Sequence, residues 1–293
     1  MKNKLFLIAL LLITASHAYS NPELNNDNFE QTKILAEQGN IEAQNQLAIM
    51  YFNGSGSKQD YVKAIEWFQK AAEQGNAAAQ YNLGLMHQDG LGTPPNNSLA
   101  KEWYLKSAQR GHAPAQSNLG LIYIQDTEKQ PDYTSAREWF QRAAEQDYVI
   151  AQYNLGMMYK NGDGGIKNKE MAIKWLQKAA EQNYPSAQYN LGLLYQDEKD
   201  NHQNHSLAKE WYQKAAELNY APAQNQLAIL YLKGIGTPQS YTLAKEWFLK
   251  AAEQNNASAQ FNLGVMYKNG DGVEKNESVA QEWFQKAEQQ KNN

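Results

Sequence analysis

Five asparagines, Asn82, Asn118, Asn154, Asn190 and Asn262, recur at one place in successive stretches of 36 residues, with Gln46 and Gln226 at the two other equivalent places. A side-chain amide offers one acceptor and two donors. A row of them can therefore pair with the backbone of an extended peptide without reading its sequence. The same amides can equally cap or bridge their own repeats. One residue earlier the chain alternates between aromatic and small polar types: Asn45, Tyr81, Ser117, Tyr153, Tyr189, Asn225 and Phe261. Six residues after the amide the type is freer: Phe52, Gln88, Ile124, Lys160, Gln196, Leu232 and Lys268. Seven apart on a helix, these two places share a face. Exposed aromatics on such a face make binding hot spots, whereas buried ones only pack the repeat.

Other patterns point to weaker chemistry. Ser-x-x-Lys occurs at Ser55–Lys58, Ser98–Lys101 and Ser206–Lys209, a spacing that can pair an acyl-transfer nucleophile with its base. Two of these share one repeat position, matched by Thr242–Lys245, so the repeat itself explains them. No Lys-Thr-Gly, Ser-Asp-Asn, Gly-x-Ser-x-Gly, His-Glu-x-x-His or phosphate loop accompanies them. His202 and His205 lie three apart without a third ligand, which makes a poor metal site. Asn161-Gly-Asp163-Gly and Asn269-Gly-Asp271-Gly look like calcium loops but lack the later acidic ligand, and they read as turns. No catalytic residue, metal site or cofactor is expected.

The elements that must hold these residues follow from the tryptophans. Trp67, Trp103, Trp139, Trp175, Trp211, Trp247 and Trp283 are spaced by 36 residues, one unit copied seven times. The copies span 41–76, 77–112, 113–148, 149–184, 185–220, 221–256 and 257–292 without insertion or deletion. Numbered from the start of each copy, small and apolar residues fall at positions 3, 7, 8, 10 and 11, the stripe of an amphipathic helix. Position 3 is always Ala, position 7 always Leu, and position 8 is Gly or Ala. Gly inside a helix costs about 1 kcal/mol relative to Ala, so its use implies close approach of a neighbour or a ligand. A Gly-x-Gly turn follows in five copies, and a second helix opens at Asp60, Asn96, Asp132, Asn168, Asn204, Ser240 or Asn276, all good N-caps. Each copy closes on a residue that tolerates the left-handed conformation, such as Gly75, Asp147 or Asn183. Copies three and five lack the turn glycines, at Gln125–Gln130 and Gln196–His202; these loops are either partner-contacting edges or drifted surface. Segment 19–40 carries a capping helix around Phe29, Leu35 and Ala36. The polar tail after Ala287-Glu288 wets the other end.

Residues 1–18 read as a Sec signal peptide: Lys2 and Lys4, an apolar run from Leu5 to Thr14, then a small-residue cleavage site after Ala18, with Ser20 the later option. Without Lys2 and Lys4, 25 basic residues face 31 acidic ones, a net charge of about −6 with interspersed signs. That balance carries no footprint for nucleic acid. No later apolar stretch is present, so no membrane insertion is expected once the leader is removed. Cysteine is absent, and a stacked array can bury enough apolar area without disulfides.

The pattern Ala-Gln-Tyr-Asn-Leu-Gly, Tyr, Gly-x-Gly, Ala, Trp-Phe, Lys-Ala-Ala-Glu-Gln resembles the Sel1-like repeat, a relative of the tetratricopeptide repeat. The resemblance implies an all-α solenoid of seven helix-turn-helix repeats in a right-handed superhelix, with the first helices lining a concave face that binds proteins. It further implies an exported bacterial scaffold, periplasmic or secreted and monomeric, for envelope function or host interaction. Its partner would be a protein or extended peptide held by positions 5, 6, 12 and 13. The alternative is a cell-wall or β-lactam-acting hydrolase. That activity belongs to a cysteine-rich branch, from which this chain departs.

Overall fold

The structure, a computed structural model, describes residues 26–125, 130–197 and 202–290. Residues 1–25, which include the expected signal peptide, the central parts of the copy-three and copy-five loops, and the last three residues lie outside the described residues. All regular structure among the described residues is helical. The chain divides into two compact units, one ending at Ala143 and one beginning at Ala144. The first holds α1 (Asn26–Glu37), α2 (Ile41–Asn53), α3 (Tyr61–Glu73), α4 (Ala77–Asp89), α5 (Asn97–Gln109), α6 (Ala113–Gln125) and all but the last residue of α7 (Tyr133–Ala144). The second holds α8 (Val149–Asn161), α9 (Lys169–Glu181), α10 (Pro185–Gln196), α11 (His202–Glu217), α12 (Ala221–Lys233), α13 (Tyr241–Glu253), α14 (Ala257–Asn269) and α15 (Glu277–Gln289). Within each unit, contacts concentrate between consecutive helices, which is the solenoid arrangement.

The helix boundaries obey local chemistry. Asp60, Asn96, Asp132, Asn168, Ser240 and Asn276 each accept from the backbone N–H three residues on. Asn204 differs: α11 starts at His202, so Asn204 lies inside the helix rather than capping it. The copies close in the left-handed region, with φ of 59° at Asp147 and 60° at Asn183. Gly162 ends α8 at φ 88° and returns its N–H to the Met158 carbonyl.

The core is built around a ring that is not the tryptophan. Position 28, the residue after each Trp, is fully enclosed as Tyr104, Phe140, Leu176, Tyr212 and Phe248. It fills the space over position 8 of its own copy. A Cβ added to Gly84 would meet the Tyr104 ring at 2.5 Å, and one added to Gly192 would meet Tyr212 at 2.6 Å. The helical glycines therefore make room for a side chain of the paired helix, not for a ligand. Among the tryptophans only Trp103 and Trp175 are buried, and the other five are half-buried. Every one of the seven instead carries a cation over its ring from three residues on, from Lys70 at 3.8 Å to Lys178 at 5.2 Å. Such a pair at the surface is worth about 0.5–1 kcal/mol.

The two neighbouring rings should therefore respond differently to truncation. Tyr212→Ala is expected to cost ~3–5 kcal/mol in chemical denaturation, as for other large core residues cut to Ala. Trp211→Ala should cost less than half as much. Equal losses would show that both rings anchor the array.

Candidate functional site

The solvent side of each first helix carries positions 2, 6, 9 and 13, which recur at steps of four, three and four residues and so share a face. Position 6 holds the amides. Asn82 and Asn154 are half-buried, and neither side chain has a hydrogen-bond partner among the described residues. The other three amides meet their neighbours. Asn118 lies beside the Tyr104 hydroxyl, which donates to Gln88 Oε1 at 2.9 Å. Asn190 accepts from Lys160 Nζ at 2.8 Å, donates to the Ser186 carbonyl at 2.9 Å, and lies beside the Tyr153 hydroxyl. Asn262 Nδ2 donates to Asn225 Oδ1 at 3.1 Å.

Position 5 lies deeper. Tyr81 is buried and packs on Tyr104 and His112, with ring centroids 5.8 and 5.0 Å away. Tyr153 stacks on Tyr184, and Tyr189 on Tyr212 and Tyr220. Burial holds the Tyr153 hydroxyl up at about 12, with the nearby tyrosine hydroxyls adding to the shift. Phe261, at 50 % exposure, is the open member of the series, and it leans on Phe284 at 5.3 Å. At position 12, Ile124 is half-buried and Lys268 exposed. Burial and the charge of Lys167 lower the Lys160 ammonium, while Asp197 opposes them. In the second unit, positions 5, 6 and 12 thus fasten one copy to the next as well as facing solvent.

Two features escaped the residue pattern. Position 9 is apolar in every copy yet only half-covered at Ile49, Leu121, Met157, Leu193, Ile229 and Val265. Position 4 is Gln in all seven copies and buried in all, and its Nε2 donates to the carbonyl eight residues earlier at 3.0–3.3 Å. Its invariance was the available signal. Two of the three Ser-x-x-Lys lysines, and their equivalent in copy six, cover aromatic rings: Lys101 lies 5.0 Å over Tyr123, Lys209 5.6 Å over Tyr231, and Lys245 5.6 Å over Tyr267. Ser98 and Ser206 are exposed near the starts of their helices. Among the described residues, no group of three or more His, Cys, Asp or Glu is placed to hold a metal. No helix there is long and apolar enough to cross a membrane.

The Tyr81–His112 stack has a pH signature. Burial depresses the His112 imidazole to about 4 from an ordinary 6.5. Between those values the unfolded chain binds the extra proton, so the stability that His112 contributes is complete above about 6.5 and is lost as pH falls towards 4. His112→Tyr, the residue found at Tyr184 and Tyr220, should shrink the fall in melting temperature between pH 7 and 4.5. An unchanged fall would remove His112 from the account.

Comparison with known proteins agrees with this geometry. The Sel1 repeat family model matches residues 41–76, 77–112, 113–148, 149–184, 185–220, 221–256 and 257–292. The solved structure of c5321, a protective antigen present in uropathogenic Escherichia coli strains, is similar at TM-score 0.84 and 37% identity, over 90% of this chain and 56% of that one. A Sel1 repeat protein from Oxalobacter formigenes matches at TM-score 0.70 and 33% identity, over 90% of this chain and 76% of that one. The secretory immunoglobulin A-binding protein EsiB of Escherichia coli O6:H1 (strain CFT073) is 38% identical over 65 residues, 22% of this chain and 13% of EsiB. This chain therefore spans about half the length of the antigen and aligns with a small part of EsiB. With seven matched repeats on a helical solenoid, the chain belongs to the Sel1 repeat family.

Proposed function

We propose that this chain is a non-enzymatic, exported scaffold that holds a protein partner along the solvent side of its first helices. The observation that carries this reading is position 9. A folded chain ordinarily covers apolar side chains that recur in register, yet Met157, Leu193, Ile229 and Val265 stay partly open beside the position-6 amides. In the second unit the contacts Lys160–Asn190 and Asn225–Asn262 bring successive faces side by side. A partner laid across them meets an apolar centre rimmed by amides, with Asn154 offering free donors and an acceptor. The names of EsiB and of the protective antigen favour a partner met outside the inner membrane, and they make secretory immunoglobulin A the first probe.

Binding would be measured by biolayer interferometry with the mature chain, first against secretory immunoglobulin A and then against isolated envelope proteins. Met157→Lys with Leu193→Lys should weaken partner binding at least tenfold with helicity unchanged. Unchanged affinity for every bound protein would eliminate this face. Single amides separate the two roles. Asn190→Ala should lower stability by about 1 kcal/mol, because the buried amide's two hydrogen bonds to half-buried partners are lost. Asn154→Ala should leave melting unchanged and weaken binding; unchanged binding removes the amide from recognition.

Export has its own readout. Mass spectrometry of fractionated cells should find a mature amino terminus at Tyr19, or at Asn21, in periplasm or medium. An intact Met1 in the cytoplasm would reject this assignment.

A further inference from the structure

An open cleft of about 610 Å³ lies in the first unit, away from the first-helix face, where the end of α3 meets α5. Its lining includes Glu73, Gln80, Trp103, Lys106, Gln109 and Arg110. Two independent observations single it out. The first is the sequence of its wall. Other copies end the second helix as Lys70-Ala-Ala-Glu73-Gln74, Lys178-Ala-Ala-Glu181-Gln182 or Lys250-Ala-Ala-Glu253-Gln254, whereas copy two reads Lys106-Ser-Ala-Gln109-Arg110. Copy two thus exchanges an acid for an amide and an amide for a guanidinium at the cleft. Lys106 lies 4.1 Å over the Trp103 ring. The Arg110 guanidinium rests against Gly75, and it makes no hydrogen bond or ion pair with the described residues.

The second observation is an unmatched acceptor. Gln80 is 3% exposed, and its Nε2 donates to the Ala72 carbonyl at 3.0 Å. Its Oε1 is buried with no hydrogen-bond partner. In three other copies a glutamine thirty residues on supplies that donor: Gln74 to Gln44 Oε1 at 2.7 Å, Gln182 to Gln152 at 2.8 Å and Gln254 to Gln224 at 2.8 Å. Arg110 stands in that place in copy two and leaves the oxygen unserved. The same oxygen is open at Gln188 and Gln260, but the matching residues there are Leu218 and Gln290, so no added cation accompanies it.

An anion for Arg110 and Lys106, a cation for Glu73 and an N–H for Gln80 Oε1 describe one kind of molecule. We propose that this cleft binds an amino acid or short peptide through its free carboxylate and ammonium groups. The carboxylate lies on the Arg110 fork, which matches its two oxygens in plane, with Lys106 beside it. The ammonium faces Glu73 and donates to Gln80 Oε1.

Isothermal titration calorimetry of the mature chain would use tri-alanine, its C-terminal amide and N-acetyl-tri-alanine. Saturable binding of tri-alanine is expected, with at least a tenfold loss for the amide and a smaller loss for the acetylated form. Arg110→Gln restores the glutamine of the other copies. It should raise the melting temperature, because Gln80 Oε1 regains its donor, and should weaken tri-alanine at least tenfold. A chain that melts higher is folded, so lost binding could not be blamed on unfolding. No saturable heat with tri-alanine, equal affinity for the amide, or unchanged affinity in Arg110→Gln would each overturn the proposal. So would binding of inorganic phosphate in its place. Partner binding at the first-helix face should be untouched by Arg110→Gln, so the two readings fail separately.

Discussion

In both units a buried glutamine amide donates to the backbone carbonyl eight residues earlier, and the rest of the architecture is hung on that bond. The acceptor is an alanine carbonyl at the end of a helix, where four carbonyls lose their partners within the helix. Gln44, Gln80, Gln116, Gln152, Gln188, Gln224 and Gln260 each supply one. Each of these carbonyls also accepts the backbone N–H three residues on, so the glutamine is its second partner, and the bond ties the start of one helix to the end of the helix before it. The amide nitrogen is thus fixed by the helix that precedes it. The amide oxygen depends on a residue thirty positions later, and only some copies place a donor there.

With the helix ends joined, side-chain size decides how closely each helix pair packs. Tyr104 and Tyr212 fit because Gly84 and Gly192 have no Cβ. The pairs Ala48–Phe68 and Ala228–Phe248 achieve the same enclosure with a small Cβ and a ring that carries no hydroxyl. The tyrosine hydroxyls must then find acceptors, and they do so at Gln88 and Gln196. Choice of ring at position 28 therefore constrains position 12 of the same copy, which otherwise faces solvent. Scaffold and candidate face are coupled through that hydroxyl, and burial pushes its proton loss to higher pH at both Tyr104 and Tyr212.

Periodicity told which residues share an environment but not which environment they share. Caps and left-handed closers were legible because their signal is local: Asn96, Asp147 and Asn183 act on backbone within three residues of themselves. Which ring fills the core was not legible, for the opposite reason. Trp211 and Tyr212 are adjacent and both strictly phased, and either ring could point inward. The glycine at position 8 needed a neighbour, and only the folded chain shows that neighbour to be position 28. Asn204 failed as a cap because α11 begins two residues before it, at His202. Gln at position 4 was visible throughout, but nothing in one sequence says that an invariant amide is buried.

The candidate face was legible only in part, for a reason inherent to repeats. A consensus residue has the same type in every copy, whereas its availability depends on what the adjacent copies place against it. Asn154 and Asn190 are the same residue at the same position. One is free, and the other is held by Lys160 and Ser186. The difference lies in part at position 12, where Lys160 stands thirty residues before Asn190 and reaches its amide oxygen. At Asn82, which is free as well, the equivalent residue is Phe52, which has no donor to offer. Recognition in such an array is therefore not written in the residues that repeat, nor in the variable residues alone. It is written in the groups that a variable residue in one copy leaves unsatisfied in the next.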